Sequence, residues 1–320
     1  MTTTDLQRFH RYDAATTVYD LAIVTDEDKA SQTVLDDGEM AWQSTASLRS
    51  ALSRQRLGTA ARRVSASRKS RQTQGGEHRL TSLIAEGQRG AEFSELVRFG
   101  RYLLVFDDRT GLVCEIRDGH HLIPRQILMT GSGDERFKGF KSEWATLQGD
   151  ALIVGSHGKH REEEWIKRLD RHYGVESVDW HEPYQRMREA LGVDTRDGYV
   201  VHEAAEWHPL RERWLFFPRK ISREAFDLER DERECGGNRL LIADRDFRDI
   251  KVLTVGPHRP ERGVSSFKLL PGRSDECVGL KSVECGETTE TYLFCFNLDG
   301  NVLQDDLFIG AYKCEGVEIL

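Results

Sequence analysis

Nothing in the 320 residues approaches the run of about 20 apolar side chains that a helix needs to cross a bilayer. The opening Met1-Thr2-Thr3-Thr4-Asp5 has no basic n-region and no apolar h-region. It is therefore not read as a signal peptide: either the protein is not secreted or its leader has been removed. There is no N-x-S/T sequon, so N-glycosylation gives no argument for secretion. The six cysteines (Cys114, Cys235, Cys277, Cys285, Cys295 and Cys314) form no C-x-x-C pair and no zinc spacing. Some could pair in an oxidising compartment, but sequence order does not say which. A surplus of positive charge is also missing. The formal net charge is −8, which excludes a global attraction to nucleic acid or anionic membrane. An acidic chain still holds a hard cation where carboxylates converge.

What is present is mostly strand. The length suits one large β domain or two ordinary ones, and either buries a core. The run Tyr19–Val24 is short and apolar and ends in Thr25-Asp26-Glu27-Asp28, as a buried strand delivering carboxylates to its end would. From Ser44 to about His78 the sequence turns rich in Arg, Ser, Ala and Gln, with almost no large apolar residue after Leu57. Residues 44–78 are expected to be a basic, mobile insertion, because they bury too little surface to offset ordering entropy. Such a run is a surface loop or a contact for polyanions. Ordered sequence resumes at Ala91-Glu92-Phe93-Ser94. Strands at Tyr102–Phe106 and Leu112–Ile116 flank Asp107-Asp108-Arg109-Thr110-Gly111, a hairpin signal. Further strands are expected at Ala151–Val154, Trp214–Phe217, Leu240–Ala243, Ile250–Val255, Cys277–Lys281 and Tyr292–Phe296, with one short helix at Glu182–Leu191.

Many short strands with Gly/Asp turns argue an all-β fold. The stretch Lys138-Gly139-Phe140-Lys141-Ser142-Glu143-Trp144-Ala145 reads as a turn feeding a strand whose first side chains face something polar. Four other strand starts resemble it. Ser94, Glu143, Glu203, Ser265 and Glu315 each place an oxygen at the beginning of a strand, at intervals of roughly 50 to 60 residues, about one four-stranded propeller blade. The innermost strand of each blade lines the central channel, so five such strands would aim five oxygens at one axis. Three carboxylates and two hydroxyls, with carbonyls and water, suit Ca²⁺. Glu315 lies close to the C-terminus, so the last strand cannot build a blade alone. The N-terminal segment must supply the others and close the ring. Residues 1–320 are thus expected to be a single five-bladed β-propeller.

The motifs FDDRTG (Phe106–Gly111), KGFKSEW (Lys138–Trp144), GSHGK (Gly155–Lys159), GYVVHEA (Gly198–Ala204), RWLFFPRK (Arg213–Lys220), SSFKLLPG (Ser265–Gly272), LKS (Leu280–Ser282) and YKCEGVE (Tyr312–Glu318) resemble, in order, those of the soluble calcium-activated nucleotidases, the apyrase family of blood-feeding insects with vertebrate relatives in the secretory pathway. The resemblance runs from about residue 19 to the C-terminus, except the insertion and patches around 160–190. It implies a five-bladed propeller that hydrolyses nucleoside di- and triphosphates with Ca²⁺ in its channel. It implies Ser94, Glu143, Glu203, Ser265 and Glu315 as ion ligands, and Asp26 and Asp108 as catalytic acids. It implies Trp144 and Arg219 at the substrate. Two departures matter: Glu95 follows Ser94 where the family has Asp, and the basic insertion replaces the family's region before Ser94.

The residue types suit that chemistry. Hydrolysis of a pyrophosphate needs charge neutralised at the transferring phosphoryl group and the leaving oxygen. Ca²⁺ and the planar fork of Arg219 both supply this. Asp26 or Asp108 could orient or deprotonate water, and the indole of Trp144 could stack on a base. Lys141 is carried as a substrate-binding candidate. The residues alone also allow Trp144 and Trp207 as core, Arg219 paired with a surface carboxylate, and Lys141 and Lys268 as solvated. Asp107 is read as a turn residue, and His157 and His202 as structural. A nucleotide substrate, no nucleic acid, no membrane span and a monomer or weak homodimer are expected. Two rivals stand beside the nucleotidase: a calcium-stabilised propeller that binds protein or glycan without catalysis, and a calcium-channel propeller acting on lactones or organophosphates.

Overall fold

The computed structural model describes residues 10–13, 16–54, 63–66, 77–134, 138–194 and 196–320. Alternating apolar and polar side chains with turn residues between them give short antiparallel strands throughout. In the hairpin of Tyr102–Asp107 and Leu112–Arg117, the Asp107 carboxylate accepts from the backbone N–H of Arg109 (2.8 Å), Thr110 (3.0 Å) and Ala91 (2.8 Å), as a turn aspartate should. Gly111 ends the turn at φ +71°, and a Cβ there would stand 2.1 Å from the carbonyl of Leu128, so only glycine fits.

The strands form five blades, read from the axis outward. One runs Phe93–Phe99, Tyr102–Asp107, Leu112–Arg117 and His121–Ile127. The next runs Trp144–Gln148, Ala151–Gly155, Trp165–Leu169 and Val175–Asp179. A third runs Ala205–His208, Arg213–Phe216, Arg239–Ala243 and Ile250–Thr254. A fourth runs Gly263–Leu269, Glu276–Cys285, Thr288–Asn297 and Val302–Gly310. In the fifth, the C-terminal strand Cys314–Ile319 is innermost and pairs with Thr16–Thr25, which pairs with Met40–Arg54. The expected closure of N- and C-terminal strands in one blade is therefore observed. The five innermost strands neighbour one another in a closed cycle, leaving no free inner edge. Apolar clusters fill the wedges between blades. The largest gathers Trp144, Trp180, Trp207, Trp214, Phe216 and Phe247.

Two expectations need correction. Residues 44–54 are not part of a loop: they continue the strand Met40–Arg54, paired with the N-terminal strand from Val24↔Ala46 to Thr16↔Arg54, and Arg63–Ala66 pairs with it in turn. The segment still carries Leu48 and Leu52, and its backbone pairs with the N-terminal strand along its length. Of the rest of the expected insertion, residues 55–62 and 67–76 lie outside the described residues, and His78 opens the strand His78–Ser82, which also pairs with Met40–Arg54. Trp144 offers no face to a base. It is fully buried, and its Nε1–H donates to the carbonyl of Ser156 (3.1 Å) and to the Tyr184 hydroxyl (3.2 Å). Tyr184 projects from the helix His181–Ala190, near the expected span.

Candidate active site and metal centre

Each of the five channel candidates sits where strand pairing is broken or just beginning. Ser94 is the extra residue of a bulge, since Phe93 pairs with Asp107 and Glu95 with Phe106. Ser265 is extra between Val264↔Lys281 and Ser266↔Leu280, and Glu315 between Cys314↔Thr25 and Gly316↔Val24. Glu143 directly precedes the strand Trp144–Gln148, and Glu203 lies between Tyr199–Val201 and Ala205–His208. At Ser94, Ser265 and Glu315 the bulge turns the side chain out of the sheet's alternation, and Glu143 and Glu203 lie outside the strands altogether.

The structure links all five through a run of contacts around the channel mouth, called the ring below. The Ser94 hydroxyl donates to the carbonyl of Ser142, beside Glu143. Glu143 Oε1 and Glu203 Oε1 flank His157 Nε2 at 3.0 and 3.1 Å. Arg219 Nη1 joins Glu203 to Glu315, 2.7 Å from Glu315 Oε1, and its Nη2 meets Glu284. The hydroxyls of Ser265 and Ser282 both donate to the carbonyl of Cys314 at 2.9 Å, beside Glu315. All five candidates are buried. Burial disfavours the Glu203 carboxylate, but Arg219 and His157 outweigh it and hold its pKa below the ordinary range. Glu315 is pushed well above that range, first by burial and then by the negative charges of Glu203 and Asp26.

The predicted catalytic pair lies at the same mouth. Asp26 follows the strand Thr16–Thr25, is 3 % exposed, and meets Lys313 Nζ at 2.7 Å. Burial raises its pKa from 3.8 to about 7, with Asp28 and Asp108 adding to the effect and Lys313 opposing it. Asp108 meets Lys141 Nζ at 2.6 Å, and its Oδ1 is buried without a hydrogen-bond partner among the described residues. Lys141 also contacts Glu143, and Lys313 lies 3.0 Å from Glu315. Each lysine thus ties one aspartate to one ring glutamate. Asp26, Asp28 and Glu92 also bring carboxylate oxygens within 4.8 Å of one another, with Arg89 paired to Asp28 at 3.1 Å and to Glu92.

Three participants escaped the sequence reading. The sequence reads His157 as structural, although GSHGK marks its loop. Lys313 lies inside YKCEGVE, and Glu284 two residues past LKS. Only the fold shows that they meet the ring. Lys268 is not solvated. It is buried in the channel, 3.2 Å from Glu95 Oε2, where Ser266 also donates to the carboxylate at 3.0 Å. Arg219 is no free clamp, because three carboxylates hold it. Asp107 has only its turn role. The six cysteines are free thiols, and all but Cys285 are buried.

The donor set suits a hard divalent cation: three carboxylates, two hydroxyls and adjacent carbonyls at one mouth. Among the described residues the negative charges of Glu203, Glu315 and Asp26 are met by Arg219 and Lys313, and a divalent cation is a further group that would offset them. The Apyrase family profile matches residues 28–320. The chain is 38 % identical over 258 residues to the apyrase of Cimex lectularius, covering 77 % of this chain and 70 % of that one. It is 39 % identical over 252 residues to soluble calcium-activated nucleotidase 1 of Rattus norvegicus, covering 75 % of this chain and 62 % of that protein's length. It is 35 % identical over 256 residues to the apyrase of Phlebotomus duboscqi, covering 76 % and 75 %. On the profile match and these identities, the chain belongs to the apyrase family.

Proposed function

We propose that this chain hydrolyses the phosphoanhydride bonds of nucleoside di- and triphosphates, releasing inorganic phosphate, with Ca²⁺ held by Ser94, Glu143, Glu203, Ser265 and Glu315. The observation that carries the reading is the pair of lysine bridges, Asp108–Lys141–Glu143 and Asp26–Lys313–Glu315, which join the two candidate catalytic aspartates to the ring. A calcium-binding scaffold needs only the ring. The names of the rat and insect relatives support the same activity and ion.

When bound, the cation supplies Lewis-acid polarisation of phosphoryl oxygens. The chain's own residues supply the rest. Lys141 and Lys313 carry fixed positive charge at the mouth. Burial opposes the charge on both, but the neighbouring carboxylates overcome it and hold both well above the usual lysine range. They can therefore receive the phosphate without losing a proton. Asp26, with a pKa near neutrality, is suited to take a proton from attacking water. Asp108, with one buried oxygen unsatisfied, is suited to orient that water. As water oxygen bonds to the terminal phosphorus, the bridging P–O bond breaks and the proton passes to the aspartate. The broken bond leaves its electron pair on the bridging oxygen of the shortened nucleotide, and Lys141 and Lys313 are the cations at the mouth that would share that charge.

Phosphate release over a panel of nucleoside di- and triphosphates, first with calcium and then with a chelator, tests the reading. Release that calcium supports and the chelator abolishes is expected. No release from any nucleotide with calcium present would overturn it in favour of a binding propeller.

A further inference from the structure

Building on that reading of the channel, we infer that His157 is a nitrogen ligand of the channel metal and gives this centre affinity for borderline divalent ions such as Co²⁺ and Zn²⁺ as well as Ca²⁺. The loop that carries it is fixed on both sides. The Gly155 carbonyl accepts the Glu143 backbone N–H at 2.8 Å, and the His157 carbonyl accepts the His202 backbone N–H at 3.0 Å. The backbone around His157 is therefore tied to Glu143 itself and to the residue before Glu203. The imidazole points inward: Nε2 lies 3.0 Å from Glu143 Oε1 and 3.1 Å from Glu203 Oε1, and the three atoms fall within 4.8 Å of one another. An ion chelated by both carboxylates at that corner of the ring is within reach of the nitrogen. The side chain is 17 % exposed, so the position is open enough for exchange and closed enough to be fixed.

The consequence follows from ligand softness. Carboxylates, hydroxyls and carbonyls suit Ca²⁺, whereas imidazole adds little for Ca²⁺ and much for later first-row ions and zinc. A ring with one nitrogen among oxygens has a different metal order from an all-oxygen ring of the same charge. The alternative role, a hydrogen-bonded bridge that only orients Glu143 and Glu203, predicts a different pattern. Losing a positioning group weakens every metal alike, by about 10- to 100-fold.

Calorimetry on the full, chelator-stripped chain, titrated with CaCl₂, CoCl₂ and ZnCl₂, separates the two. His157→Gln and His157→Leu are expected to lose about tenfold or more in Co²⁺ and Zn²⁺ affinity while Ca²⁺ affinity stays within about threefold. Equal losses for all three ions would reduce His157 to a positioning residue. Unchanged affinity for all three would remove it from the site. Both results overturn the inference. Should the variants fail to fold, the parent labelled with ¹⁵N-histidine still decides. Co²⁺ must produce a strongly shifted imidazole resonance, and its absence overturns the ligand assignment. None of these readouts uses hydrolysis, so a chain inactive on nucleotides but with a cobalt-shifted histidine would fail the functional reading and keep this one.

Discussion

Asp26 shows how far a single residue departs from its ordinary chemistry. Burial, with the charges of Asp28 and Asp108, lifts its pKa from 3.8 to about 7 against the pull of Lys313. A carboxyl raised in the folded state contributes stability that is full below its unfolded pKa and lost as pH rises through the folded value. In chelator, Asp26→Asn is therefore expected to melt higher than the parent at pH 8, with the gap shrinking toward pH 5. Lys313 keeps Glu315 and Glu284 as partners, so the substitution does not strand it. A variant that melts lower at pH 8 would show that the Lys313 pair outweighs burial. Asp108→Asn keeps size and removes basicity, and turnover is expected to fall by roughly 10²- to 10⁴-fold. Calcium-induced thermal stabilisation should survive, because binding to the native state remains linked to folding. Full activity in both variants would move the chemistry elsewhere. Glu143→Gln and Glu203→Gln should each weaken Ca²⁺ binding by about tenfold or more by calorimetry, because ligand charge is the main lever on calcium affinity.

The elements matter through their irregularities. Three of the five ring oxygens lie on bulges, so regular strand pairing would turn them toward the blades. Behind the mouth, Trp144 is seated on Gly155 of the paired strand. A Cβ at Gly155 would stand 2.0 Å from the indole. Gly155→Ala is therefore expected to destabilise by about 1–3 kcal/mol, the range for overpacking a filled core. It should also loosen the Ser156–His157 loop. Chemical denaturation checks the first effect, and an unchanged midpoint would mean that the indole moves aside freely. Glu95 reaches Lys268 across the channel, linking the strands Phe93–Phe99 and Gly263–Leu269.

At the scale of the molecule, stability rests on closure. The strand Cys314–Ile319 is the innermost strand of the last blade and pairs with Thr16–Thr25, from the other end of the sequence. It also carries Glu315 and the buried Val317 and Ile319. Removing residues 314–320 opens the ring, exposes two strand edges and deletes a ring carboxylate. The truncated chain is expected to lose its cooperative thermal transition and its calcium response together. A cooperative transition of parent-like amplitude would show that four blades suffice. Among the described residues, no helix is long and apolar enough to cross a membrane.

The sequence by itself determined the repeat. Short alternating runs, Gly/Asp turns and an oxygen-bearing residue at each blade interval are local or periodic features, so the five blades, their closure and the ring residues were legible from order along the chain. Asp107 as a turn residue and the helix near Glu182 were legible for the same reason. Contacts between blades were not. Sequence carries no sign that Arg219 is held by Glu203, Glu284 and Glu315, which lie 16, 65 and 96 residues away. It gives no sign that Lys313 meets Asp26 across 287 residues. Nor does an indole after a glutamate say whether it faces nucleotide or core, since both are apolar neighbours to a tryptophan, and only the packing of Trp144 beneath Tyr184 and Phe216 settled it. The strand at residues 44–54 is not legible because Leu48 and Leu52 stand among Ser, Ala and Arg, and its pairing partners, residues 16–24 and 63–66, are separate segments of the chain. Tertiary structure decided what depends on which surfaces meet, because charge pairing and burial are properties of neighbours in space.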